Sequence, residues 1–326
     1  MTTVVELYER YRPLILSNIA PGTGRAYTYA WGRRVGPTFA TRDIEQISTL
    51  EVELAVASWS GAYSTRVDAR SLLSRICRTA IKGGIIPTDP CVGVERPRTH
   101  DSDPTSRAVN LGQIQSLLKA LPQSGPYRRF VLAMLYTGCR LGEIAALRPA
   151  DIDWATNTIN ISRTASPGLT GQLLIGPTKG RRVRAVPLAA PFAPIVREAA
   201  AGKDPFEWLF PGPRGGTINS KNLSRALDWF TIRESIKRFP QDEEQLHWHD
   251  LRHTAAVMLF RAGLSAPDVQ AILGHSSLAV TQLYANTRND AAKRGAVALS
   301  DFYAPKSRGQ LEGGEEAAQT ASDLDI

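Results

Sequence analysis

Four short segments of this chain combine side chains that can handle a phosphate group. In Thr137-Gly138-Cys139-Arg140-Leu141-Gly142-Glu143-Ile144, glycines flank an arginine at a helix start. Arg140 could therefore project from a tight turn toward an anion, with Glu143 one turn on to position it. Standing alone, the two could equally be an i, i+3 surface ion pair. In Pro177-Thr178-Lys179-Gly180-Arg181-Arg182-Val183-Arg184, a turn lysine beside glycine can reach into a cleft and protonate a departing alkoxide. Arg181, Arg182 and Arg184 would supply further phosphate contacts, and the segment alone could be a basic hairpin that touches phosphates without chemistry. In His247-Trp248-His249-Asp250-Leu251-Arg252-His253, a helix puts His249, Arg252 and His253 on one face, where an imidazole and a guanidinium can meet one phosphate. His-x-His beside an aspartate also suggests a metal site. However, Arg252 would place a cation among the ligands and no acidic or cysteine cluster completes the set, so no metal is expected. Finally, His275 in a Gly-His turn precedes Tyr284 by nine residues, a spacing that suits an imidazole and a phenol facing one cleft.

The elements that must hold these segments read as mainly α with a small antiparallel β-sheet, an α+β chain. Residues 1–95 show apolar positions at helix spacing, as in Val4-Val5-Leu7-Tyr8-Tyr11, Val52-Leu54-Ala55-Trp59 and Val67-Leu72-Leu73-Ile76-Ala80. The last of these helices should stop near Lys82, before Gly83-Gly84. A polar, proline-bearing stretch, residues 96–106, reads as a linker. Residues 107–304 would form a second domain. Helices are expected over Asn110–Leu121, Tyr127–Thr137 and Leu141–Leu147, then strands around 158–161, 172–175 and 182–186, then helices again after Pro191. Residues 305–326 read as an acidic, disordered tail.

Composition narrows the partners. With 39 Lys+Arg against 31 Asp+Glu, the net charge is +8. The stretch from Leu311 to Ile326 holds five acids and no base, so the rest of the chain is more basic still. That balance favours an acidic partner such as nucleic acid. No apolar run approaches the roughly 20 residues that span a bilayer, and the amino terminus lacks a signal-peptide pattern. A cytoplasmic protein without membrane association is expected. Cys77, Cys91 and Cys139 are far apart in sequence and read as reduced structural residues.

Taken together, the segments resemble the tyrosine recombinase or phage-integrase family. Its catalytic domain is marked by Thr-Gly-x-Arg-x-x-Glu, a turn lysine, His-x-x-Arg, a Gly-His turn and a tyrosine nucleophile, and all five occur here in that order within residues 107–290. Residues 1–95 resemble the family's helical core-type DNA-binding domain, through their helix pattern and the Gly-Ile-Ile-Pro-Thr-Asp-Pro ending. The resemblance implies a site-specific DNA recombinase with Tyr284 as nucleophile, Arg140 and Arg252 as clamps on the phosphate oxygens, and His275 as a hydrogen-bond donor to the phosphate. It makes His249 an aid to proton transfer, Lys179 the general acid for the leaving 5′ oxygen, and Glu143 a support for the arginines. It implies no cofactor, double-stranded attachment sites as partner, a chain that is monomeric when free and tetrameric in synapsis, and a directionality factor as a further partner. A phage or mobile-element integrase is expected, acting on the nucleoid of a bacterial host. Chromosome-dimer resolvase, type IB topoisomerase and catalytically silent regulator are the alternatives. Because the chain begins almost at once with core-type helices, short attachment sites without distal arm sites are expected.

Overall fold

The computed structural model describes residues 1–94, 107–168, 172–178, 180–236 and 246–275. Lys179, Tyr284, the expected linker 96–106 and the acidic tail 305–326 lie outside the described residues.

The amino-terminal part is helical. Helix α1 (Val4–Ile15) starts at a capping box in which Thr3 and Glu6 satisfy each other's backbone N–H groups, and Ser48 with Glu51 does the same for α4 (Thr49–Ser58). Between them, α2 (Pro21–Ala30) runs through a π-turn at Trp31–Val35 into α3 (Gly36–Phe39). Trp31 stacks on Tyr8 at 3.8 Å, which pins this run to α1. Helix α5 (Tyr63–Lys82) ends where expected, with Gly84 at φ 68°. Its buried face, Leu72, Leu73 and Ile76, meets Val4, Leu7 and Tyr8 in one core. Leu54, expected inside, is 63% exposed, because α4 buries Val52, Ala55 and Val56 instead. Cys77 and Cys91, distant in sequence, meet inside this core, where that contact and burial push the Cys91 thiol pKa up.

From residue 107 onward, α6 (Leu111–Ala120), α7 (Pro126–Thr137) and α8 (Leu141–Ala145) precede the strands. In place of one sheet there are two, both antiparallel: β1 (Ile152–Asp153), β2 (Thr158–Ile161) and β5 (Arg184–Pro187) in the order β1-β2-β5, and a hairpin of β3 (Arg163–Pro167) with β4 (Leu173–Pro177). Helices α9 (Ala193–Ala200), α10 (Ser220–Ala226), α11 (Trp229–Ser235), α12 (Asp250–Arg261) and α13 (Ala266–Leu273) follow. Phe130, Ile144, Ile159, Val186 and Phe192 share a core that Trp229 and Trp248 close by stacking at 3.7 Å. A smaller cluster, Val257, Phe260, Val269 and Leu273, joins α12 to α13. Arg107 donates to the buried Asp250 carboxylate at 2.9 Å, and the Val109 N–H to Thr254 Oγ1 at 3.0 Å, so the segment entering α6 is tied to α12. No helix among the described residues is long and apolar enough to cross a membrane.

Candidate active site

Two helices end toward the same place. Helix α7 closes on Gly138 and α13 on Gly274, both in the left-handed conformation that lets a helix stop abruptly (φ 62° and 69°). Their last carbonyls point at the first turn of α12. There the buried Arg252 donates to Gly138 O at 2.9 Å and to Leu273 O at 2.8 Å, so one cation satisfies the negative ends of two helices. The chain leaving Gly138 turns at once into α8. Arg140 sits at its N-cap, its N–H donating to Glu143 Oε2 (2.9 Å) and its Nη1 to Glu143 Oε1 (3.0 Å). Arg140 Nη2 also reaches Gly274 O at 3.4 Å, beside His275. His249 occupies the N-cap position of α12 and meets His253 edge to face, with ring centroids 5.1 Å apart. Five residues singled out in sequence, Arg140, Glu143, His249, Arg252 and His275, are thus gathered from three distant segments, with His253 beside them.

Arg181 and Arg182 lie exposed on the turn that follows position 179, where Gly180 (φ 85°) and Arg181 (φ 54°) both take left-handed backbone. Thr178 staples this turn: its carbonyl accepts from Arg181 N–H at 2.8 Å and its hydroxyl donates to Arg182 O at 2.6 Å. A cleft of 680 Å³ lies between this turn and α13, lined by Arg140, Arg182, Gln270, Gly274 and His275 among others. Arg184 departs from the expectation of a DNA contact. Its side chain turns inward, donating from Nη1 and Nη2 to the two Glu143 oxygens at 3.1 and 2.6 Å and from Nε to Ile272 O at 2.8 Å. Strand alternation puts its neighbours Val183 and Ala185 outside.

The electrostatics suit an anion. Burial opposes ionisation of Glu143, but the Arg184 hydrogen bonds and charge, with those of Arg140, outweigh it and hold the carboxyl below its ordinary pKa. Burial and then Arg140 bring Arg252 down to about 10, so it stays charged at neutral pH. Burial, then Arg252 and Arg140, lower His275 to about 4 and lower His249 as well; burial and then His249 take His253 to about 4. These imidazoles are therefore neutral at pH 7. A consequence for stability follows. Between the ordinary 6.5 and about 4, the unfolded chain takes up protons at these positions that the folded chain refuses. The histidine contribution is complete above pH 6.5 and is expected to be lost progressively as pH falls toward 4. Urea midpoints measured without DNA should be level above pH 6.5 and drop steadily from there toward pH 4, and a flat profile across that window would show that the imidazoles are not held neutral.

A potential metal-ligand group among the described residues lies away from this cleft. Ligand atoms of Cys77, Asp89 and Cys91 fall within 4.8 Å of one another, but the Asp89 carboxylate already accepts from Ser74 Oγ and from Cys91 N–H.

Comparison with known proteins adds to this geometry. The sequence pattern of the phage integrase family matches residues 108–290. A putative prophage phiRv2 integrase of Mycobacterium tuberculosis is 25% identical over 81% of this chain and 69% of its own length. A tyrosine recombinase XerC of Roseiflexus castenholzii is 29% identical over 80% of this chain and 79% of its own. Among solved structures, the Tn1549 transposon integrase in complex with transposon right end DNA matches with a TM-score of 0.70 at 19% identity, covering 93% of this chain and 100% of that one. A lambda integrase tetramer bound to a Holliday junction matches with a TM-score of 0.64 at 19% identity, over 85% and 78% of the two chains. At these identities the structural likeness establishes a shared fold.

Proposed function

The chain belongs to the phage integrase family, the tyrosine recombinases, and on that premise we propose that it cuts and rejoins duplex DNA at specific sites through a 3′-phosphotyrosine intermediate, integrating or excising phage or mobile-element DNA. The observation that carries this reading is the convergence of Arg140, Arg252 and His275 at the paired ends of α7 and α13. Two guanidiniums and an imidazole around one phosphate can neutralise the charge of an in-line displacement without a divalent ion.

In the proposed reaction the Tyr284 phenol oxygen attacks the scissile phosphorus and the bond to the 5′ oxygen breaks. His249, neutral at working pH, is able to accept the phenol proton, and Lys179 delivers a proton to the departing 5′ oxygen. The tyrosyl ester conserves the phosphodiester energy, so a 5′ hydroxyl from a second duplex can attack it and restore the strand without ATP. Arg181 and Arg182 on the exposed turn track the backbone beside the cut. Double-stranded attachment sites are the proposed substrate, held in a synapse of four protomers. A tetrameric assembly on a Holliday junction is what the lambda integrase structure presents, and it supports this stoichiometry.

The test is capture. The full chain is incubated in EDTA with nicked suicide duplexes from a library of candidate attachment sites, and any detergent-stable adduct is digested and mapped. The expected result is sequence-dependent adduct formation with the DNA 3′ phosphate on Tyr284. Capture on any duplex regardless of sequence would point to a topoisomerase, and capture confined to a chromosomal dimer-resolution sequence to a resolvase. No adduct at all, or a phosphate on another residue, would overturn the mechanism.

A further inference from the structure

We propose that Arg184 is a positioning residue for strand cleavage, one guanidinium that fixes Glu143, and through it Arg140, while holding the end of α13 that presents His275. The inference rests on the recombinase reading above, and its tests separate the two.

The geometry is a three-way tie. Arg184 stands at the start of β5, five residues beyond Lys179, and both of its terminal nitrogens close a fork on the Glu143 carboxylate. Its Nε holds Ile272 O in the last turn of α13, three residues before His275. The Gly274 backbone rides on the same guanidinium so closely that a Cβ there would come within 2.9 Å of Arg184 Cδ and 3.0 Å of Nε. One side chain thus joins β5, α8 and α13. At 9% side-chain exposure it has little surface to offer to DNA. Lysine could carry the charge but could not make a planar fork on the carboxylate and a third bond at an angle to it.

Removing that fork would change the carboxylate as well as the spacing. The charged or titratable groups around Glu143 are Arg140 from the turn before α8, Arg184 from β5, Arg252 from α12 and the Cys139 thiol. Arg184 makes two of the hydrogen bonds that keep Glu143 ionised against its burial, so without it the carboxyl would protonate at higher pH and relax its hold on Arg140.

The experiment uses the full chain, a suicide duplex captured by the wild type, and the variants Arg184→Gln and Arg184→Lys. For Arg184→Gln, DNA affinity should change by less than about threefold, while the single-turnover rate of adduct formation falls about 100-fold, as expected of a displaced catalytic group. The acid limb of its pH profile should move to higher pH. Arg184→Lys keeps the cation, so its acid limb should stay near the wild-type position, with the rate still about tenfold down for want of the fork. In DNA-free protein, the His275 imidazole resonance should move in Arg184→Lys, a readout independent of whether any DNA is cleaved. A weakened affinity with an unchanged rate at saturating DNA would make Arg184 a DNA contact and overturn the proposal. So would a wild-type rate, or an unmoved His275 resonance, in Arg184→Lys, the variant that decides the matter if Arg184→Gln does not fold.

Discussion

Arg252→Ala is expected to slow covalent capture of DNA about 1,000-fold at saturating substrate, in the range found when one preorganised donor to a developing charge is removed. The size follows from where the guanidinium sits. Arg252 is 3% exposed, and two of its five N–H bonds are engaged by Gly138 O and Leu273 O. Those two contacts fix the guanidinium, and in the proposed reaction a phosphate arriving beside Arg140 and His275 would meet a cation that needs no reorganisation. The same truncation leaves two carbonyls without their partner at the ends of α7 and α13, so stability should fall as well, by about 2 kcal/mol. Two measurements separate these effects: urea denaturation reports the lost carbonyl bonds, and single-turnover capture reports the loss of the proposed clamp. Arg252→Lys keeps a charge but cannot bridge both carbonyls and still face a phosphate, so it should be the more stable of the two while remaining about 100-fold slow. Burial and then Arg252 keep His275 near pKa 4, so either loss of rate should bring an altered pH profile, with the Ala variant allowing His275 to protonate at higher pH. Capture by Arg252→Ala within tenfold of the wild type would remove Arg252 from the proposed machinery.

The parts of this site legible in sequence were those written as contiguous patterns. Gly138 and Gly274 announced abrupt helix ends, and those ends place Arg140 and His275. The one-turn spacing of His249, Arg252 and His253 translates directly into a shared face of α12. What stayed hidden depends on which way a side chain turns. Arg181, Arg182 and Arg184 are alike as letters, yet the turn at Gly180 and Arg181 resets the alternation, sending the first two to solvent and the third onto Glu143. Strand β3 was missed because Arg163-Thr164-Ala165-Ser166-Pro167 has no apolar alternation, and its pairing with β4 supplies what propensity does not. The run from Pro21 to Phe39 carries four glycines and two prolines, yet its core contacts hold it helical through a π-turn. Cys77 and Cys91 meet only because the chain after α5 folds back, a long-range fact no local pattern carries.

Gly142→Ala is expected to cost about 3 kcal/mol, the upper end for inserting one methyl group into a close-packed site. Position 142 is an ordinary place for alanine as far as the helix is concerned, and alanine would favour α8 by roughly 1 kcal/mol over glycine. The obstacle is the neighbour. A Cβ there would lie 2.3 Å from Ala165 O and 2.7 Å from Thr164 Oγ1, on the backbone and side chain of β3. A carbonyl in a paired strand cannot rotate away, because β3 is held in register with β4 from Arg163 opposite Pro177 to Pro167 opposite Leu173. Relief must come from moving α8 or the whole hairpin by something near an ångström. Since α8 carries Glu143 and begins at Arg140, that movement also reaches the proposed phosphate clamp, and capture should slow by about 100-fold even where the variant remains folded. Urea denaturation of Gly142→Ala beside the wild type checks the first part, and single-turnover capture well below the unfolding midpoint checks the second. A stability change within about 0.5 kcal/mol, the size of an ordinary surface substitution, would mean that α8 and β3 do not pack as closely as this geometry requires.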